Sequence, residues 1–217
     1  MPIASRQAGK AAPLIIGLVA LLAAFAGLWL GARLQGNTAP PELAAGIVLA
    51  PPKPVQPFTL VDQRGQPFGL GRLKNHWTFM FFGYTHCPDV CPTTLSVLNQ
   101  ALLQLEDEPE AQQDAQVVFV SVDPQRDTPE QLADYVAYFN EGFIGATGAP
   151  DAIAALTRQL GILYVLNDDG GEYTVDHSAS ILLMDPAGRL AAVFSGYPHD
   201  PRALAAGYLK TRAFHEE

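Results

Sequence analysis

Residues 78–84, TFMFFGY, bring together three phenylalanines, a methionine and a tyrosine without one charged side chain. A short run this apolar and aromatic suits a β-strand covered on both faces. A strand of that kind needs layers of structure above and below it, which points to a layered α/β unit. The chain's only two cysteines follow at once. Cys87 lies three residues past the strand, in a short loop, and Cys91 stands where a helix begins, near Cys91 or Pro92.

The rest of the domain can be read around that strand. FTLVD and QPFGL flank Arg64-Gly65 as a hairpin signal. Leu95, Leu98, Leu102 and Leu105 mark one face of a helix after the cysteines. QVVFVSVD (116–123) is a second buried strand. In RDTPEQL, Thr128 caps a helix, Pro129 suits its first position and Gln131 completes a capping box. A helix containing Ile153, Leu156 and Leu160 follows Pro150. Short strands are expected at 162–166, 173–175 and 180–185, and RLAAVFSG pairs with the last across Pro186-Ala187-Gly188. A final helix opens at Asp200-Pro201 and ends near Phe214. The alternation describes an α/β layered domain compatible with a thioredoxin-type fold.

Residues 11–32 contain no charged residue, and about 22 residues at ~1.5 Å rise can cross a hydrocarbon core roughly 30 Å thick. The expected organisation is a cytoplasmic N-terminus (1–10), a transmembrane anchor (11–34), a Pro-rich tether (35–57) and a folded domain (58–217). Arg6 and Lys10 before the block favour a cytoplasmic N-terminus, with the domain on the periplasmic or extracytoplasmic side of a bacterial-type inner membrane. A cleaved signal peptide is the competing reading, but its apolar region usually runs about 7–15 residues, shorter than this one. Beyond residue 33 there are 10 Lys and Arg against 22 Asp and Glu, a net charge of −12. A domain so acidic, with no basic stripe, is a poor nucleic-acid binder.

Cysteines four apart face the same side if the helix extends back over both, with Cα atoms about 6 Å apart. That separation serves a disulfide or one shared metal ion. A helix N-terminus also favours thiolate over thiol. On its own the pair supports redox chemistry and metal binding alike, with an inert pair or incidental disulfide as the lesser reading. His177, in VDHS between two expected strands, is by itself one of five histidines.

GYTHCPDVCP, then VSVDPQRDTPEQLADYVAYF, then VDHSASILLMDP, in this order, resemble the Sco/SenC family of copper-binding, thioredoxin-like assembly factors for cytochrome c oxidase. The similarity covers roughly residues 55–212. It implies a three-layer thioredoxin-like domain with an N-terminal transmembrane helix, and copper held by Cys87, Cys91 and His177. It also implies delivery of that copper to the dinuclear site of oxidase subunit II. Two soft thiolates suit Cu(I), and imidazole suits either copper oxidation state. Asp123, Pro124 and Asp127 form a block beside the family's site, either ordering a ligand loop or simply making a strand-to-helix turn. His86 is expected to be exposed or to lie behind the ligands. Asp89 is expected to face water, and Asp176 is placed to orient His177 or to point away.

The alternative to metal delivery is a thiol–disulfide reductase using Cys87 and Cys91 on the oxidase cysteines. Three residues between the cysteines, where thioredoxins have two, weigh against a general oxidoreductase. So does a histidine in VDHSAS, where thioredoxins usually present a proline. A thioredoxin-fold peroxidase lacks its Thr-x-x-Cys arrangement here. A catalytic zinc site lacks a general base.

Overall fold

The computed structural model describes residues 11–34, 39–167 and 173–216. The expected cytoplasmic N-terminus, residues 1–10, lies outside the described residues. The chain divides into two compact units, residues 1–39 and 40–217.

The first unit contains one helix, α1 (Ala11–Leu34), whose side chains from Ile15 to Trp29 are exposed and almost entirely apolar. Among the described residues no helix is long and apolar enough to cross a membrane.

The second unit is built on β1 (Ile47–Lys53), β2 (Leu60–Asp62), β3 (Pro67–Phe68), β4 (Trp77–Gly83), α2 (Val90–Leu103), α3 (Pro109–Asp114), β5 (Ala115–Ser121) and α4 (Pro129–Phe139). It continues through β6 (Ile144–Thr147), α5 (Pro150–Leu160), β7 (Tyr164–Asn167), β8 (Thr174–His177), β9 (Ile181–Met184), β10 (Leu190–Phe194) and α6 (Pro201–Glu216). Eight strands form one mixed sheet in the order β1-β10-β9-β4-β5-β6-β2-β3, and β7 and β8 form a separate two-stranded ribbon. β4 pairs in parallel with β5 and antiparallel with β9, so it is central. All seven of its residues are buried, as its unbroken apolar run requires.

Aromatic packing fixes the face of β4 that matters for function. Phe79 packs against Phe194 and Tyr208 of α6, and Phe81 against Phe119 of β5. Phe119 in turn meets Tyr135 of α4. Gly83 closes this row: a Cβ there would lie 2.5 Å from the Cys91 sulfur and 2.9 Å from Phe119. The strand can therefore end directly beneath the first turn of α2 only because it ends in glycine.

One sequence boundary is corrected. The expected tether at 35–57 contains β1, which pairs with β10 (Ile47 opposite Val193, Val48 opposite Ala192) and buries Val48. Prolines 51 and 52 disguised it as a linker. An edge strand tolerates them because one side of its backbone has no ladder to complete, and the register shifts between Val48 and Lys53. The folded domain thus starts near Pro40. β6 and α3 also went unread, being too short to show a period.

Candidate metal centre

Three donor atoms converge where β4 meets α2. The Cys87 and Cys91 sulfurs and a His177 ring nitrogen all lie within 4.8 Å of one another. Both cysteines are free thiols. The helix does not extend back over Cys87, as the spacing argument supposed; it starts at Val90, and Cys87 occupies the turn before it. The Cys87 N–H donates to the Tyr84 carbonyl (3.3 Å), and the Cys87 sulfur accepts the Cys91 N–H (3.5 Å). That amide belongs to the first turn of α2, where N–H groups have no partner within the helix, so the sulfur serves as its cap. Cys91 is completely buried, whereas Cys87 is half-buried and lines an open cleft of about 450 Å³ with Tyr84, Asp89, Val175 and His177.

His177 is the last residue of β8 rather than a loop residue. Its Nδ1 lies 3.1 Å from the Ser178 carbonyl. A carbonyl only accepts, so Nδ1 carries a proton and Nε2 is the atom left to act as a ligand. Nε2 stands 3.2 Å from the Cys91 sulfur. The ring packs edge-on against Phe81 (5.8 Å between centroids) and Tyr84 (6.0 Å), which set its plane.

The two thiols are electrostatically unlike. Hydrogen bonding to Cys91 first, then to His177, pulls Cys87 down from the ordinary value near 9 to about 3, against an opposing effect of burial. Burial pushes Cys91 far above the ordinary thiol range, and its hydrogen bond to Cys87 adds to the rise. Without metal, the pair therefore keeps one proton on the inner sulfur and one negative charge on the outer.

The Asp123–Asp127 turn orders the loops around this centre, as one of its two expected readings held. Buried Asp127 accepts from the Thr85 N–H (3.0 Å), the Thr85 hydroxyl (2.6 Å) and the Ser121 hydroxyl (2.6 Å), which fixes the chain two residues before Cys87. Asp123 is also buried and accepts from the Tyr173 hydroxyl (2.7 Å) and from Arg126. Thr85, Arg126 and Tyr173 were not picked out from the sequence; only the Asp-Pro-x-x-Asp block hinted that something was held there.

The other candidates fall outside the donor set. Asp176 does not orient His177; it is exposed and accepts from Asn167 across the ribbon (2.7 Å). His86 is exposed, with its Nδ1 3.1 Å from the Thr85 hydroxyl. Asp89 is exposed and accepts from Tyr197 and Thr93, both at 3.3 Å. His199 is buried with Nε2 2.7 Å from the Ala179 carbonyl, His215 stacks on Trp77, and His76 is exposed.

Two thiols and an imidazole form a soft donor set, and a cleft on one side leaves a path for exchange. A structural zinc site would be closed by a fourth protein ligand, and none lies in the donor cluster among the described residues.

Comparisons with known proteins agree with this geometry. The chain is 39% identical over 133 residues to the mitochondrial SCO2 homolog of Mus musculus, covering 60% of this chain and 52% of that one. It spans about half the length of several curated relatives that it matches. Among solved structures, Arabidopsis thaliana ScoI with copper bound superposes with a TM-score of 0.68 at 34% identity, covering 73% of this chain and 98% of that one. Bradyrhizobium japonicum ScoI with copper bound gives a TM-score of 0.63 at 36% identity, with 72% and 98% covered. The SCO1/SenC family model matches residues 49–211, and the chain belongs to that family.

Proposed function

We propose that this chain binds one copper ion through Cys87, Cys91 and His177 and delivers it to the dinuclear copper site of cytochrome c oxidase subunit II during oxidase assembly. The observation that carries this reading is the convergence of two thiol sulfurs and one imidazole nitrogen within 4.8 Å at the mouth of a cleft. Two thiolates select Cu(I), and the histidine keeps the site usable by Cu(II). Copper is here a cargo, so an open coordination position is an advantage. A thiolate of the acceptor can enter through the cleft and bind the ion before Cys87 and His177 let go. Copper-bound structures of similar proteins support the identity of the ion.

Placement in the cell completes the proposal. The uncharged run of residues 11–32 would anchor the chain in a bacterial-type inner membrane. The metal-binding domain would then face the periplasmic or extracytoplasmic side. Washing isolated membranes with alkaline carbonate tests the anchor: release of the full chain into the supernatant would rule it out.

A second reading has its own support. A thiolate at the cleft and a buried protonated thiol beside it are the pairing a thiol–disulfide reductase needs. The decisive measurement is copper stoichiometry and affinity of the full chain in detergent, for wild type and His177→Ala. Delivery predicts one equivalent of copper and an affinity loss of about tenfold or more without the imidazole, while the two cysteines still form a disulfide. Weak binding indifferent to His177 would leave only the reductase.

A further inference from the structure

The ligands sit on two separate pieces of structure. Cys87 and Cys91 lie where the main sheet meets α2, but His177 ends β8, which among the described residues pairs with β7 and not with the eight-stranded sheet. Something other than sheet hydrogen bonds has to set where β8 lies. Downstream of His177, the Ser178 N–H donates to the Leu163 carbonyl and His199 bonds the Ala179 carbonyl. Upstream, Tyr173 immediately precedes the strand and is gripped at three points. The Arg126 guanidinium lies over its ring, 3.7 Å from the centroid. Arg126 Nη1 donates to its carbonyl (3.0 Å), and its hydroxyl donates to Asp123 Oδ1 (2.7 Å). Arg126 Nε donates to Asp123 Oδ2, which closes the clamp into a ring of contacts. The same guanidinium stands 5.6 Å from the ring of Tyr84, the residue that packs edge-on against His177.

We propose that Arg126, Asp123 and Tyr173 form a clamp whose role is to position His177, setting how firmly the imidazole holds the ion without acting on the two thiols. The inference rests on the copper-binding reading above. β8 carries the effect over four residues, about 13 Å at ~3.3 Å each. Division of labour within one turn makes it specific. Asp127 holds the cysteine loop through Thr85, and Asp123, with Arg126, holds the histidine strand. One guanidinium reaches two different acceptors, Nε the Asp123 carboxylate and Nη1 the Tyr173 carbonyl, while it lies over the Tyr173 ring, a combination that suits arginine and that lysine cannot reproduce.

The test uses the full chain in detergent and copper itself as the probe. Cu(I) affinity is measured by competition with a chromophoric chelator, and nitrogen hyperfine coupling in the Cu(II) spectrum reports the imidazole directly. Arg126→Ala should weaken Cu(I) binding by about tenfold or more, the scale on which groups behind metal ligands act. Tyr173→Phe keeps the ring under the guanidinium and removes only the hydroxyl, so it should cost a smaller, several-fold loss. Both should lower the nitrogen coupling, change the alkylation rate of Cys87 in the metal-free protein no more than His177→Ala does, and have no further effect once His177→Ala is present. Should Arg126→Ala not fold, Tyr173→Phe carries the test. Equal losses with and without His177, or altered Cys87 alkylation with unchanged nitrogen coupling, would overturn the proposal. So would full affinity in both variants. A wild type indifferent to His177→Ala would instead remove the copper reading on which the proposal stands.

Discussion

Cys87 and Cys91 carry the same side chain in opposite surroundings, and the difference decides their chemistry. Cys87 stands at the cleft, accepts the Cys91 amide N–H and holds its sulfur as thiolate down to about pH 3. Cys91, in the first turn of α2, is completely buried, and burial keeps its proton on. An ordinary thiol loses reactivity about tenfold for each pH unit below its pKa, because only the thiolate attacks. For the metal-free protein, iodoacetamide should therefore modify Cys87 at a nearly constant rate from pH 8 down to about 4, with Cys91 unmodified until the protein unfolds. Mass spectrometry of the alkylated peptides checks this; a steep fall in Cys87 modification below pH 8 would show that the thiolate is not held. Cysteines could be singled out from the sequence because there are only two. His177 could not, since nothing in VDHS differs locally from a solvated loop, and the matched blocks alone pointed to it. Arg126 and Tyr173 were missed because their partnership spans 47 positions, with no period or motif linking them.

At the scale of elements, the close approach of β4 to α2 is what brings the thiols to the end of a rigid strand. Gly83→Ala would force the Cys91 sulfur and Phe119 to move, since the added methyl would stand 2.5 and 2.9 Å from them. Overpacking of this kind typically costs about 1–3 kcal/mol. The expected outcome is a loss of stability in that range by urea unfolding, together with copper binding weakened about tenfold or more. Wild-type values for both would mean that strand and helix can part without consequence for the site. Elements with long periods or strong chemistry were legible. β4 showed in its unbroken apolar run, and α4 in its cap, where Thr128 accepts from the Gln131 N–H and Gln131 reaches back to Thr128. β6, four residues long, and α3, six residues long, offered too little pattern. β1 was hidden by two prolines that an edge position excuses.

The whole molecule behaves as one folded unit from Pro40 onward, preceded by a helix of a different character. Because β1 covers the β10 edge, a fragment starting at Phe58 should be less stable than one starting at Pro40. Removing β1 takes away the ladder at Ile47 and Val48 and uncovers apolar surface around Val193. Lower melting temperature and a tendency to associate are expected for the shorter fragment, by calorimetry and light scattering; equal melting temperatures would make β1 dispensable. A layered α/β unit was readable at this scale from the order of strands and helices. The separation of β7 and β8 from the main sheet was not, because pairing partners are set by non-local contacts. That separation gives the molecule two clocks. Amides of β4, bonded on both sides and fully buried, exchange their hydrogens only when the whole domain opens, whereas those of β8 answer to openings of one small ribbon. An ion held by Cys91 on one side and His177 on the other would stitch the fast part to the slow one. Loading would then be written in the exchange rates of residues 174–177, and a protein that touched this ribbon could tell a full carrier from an empty one by its stiffness alone.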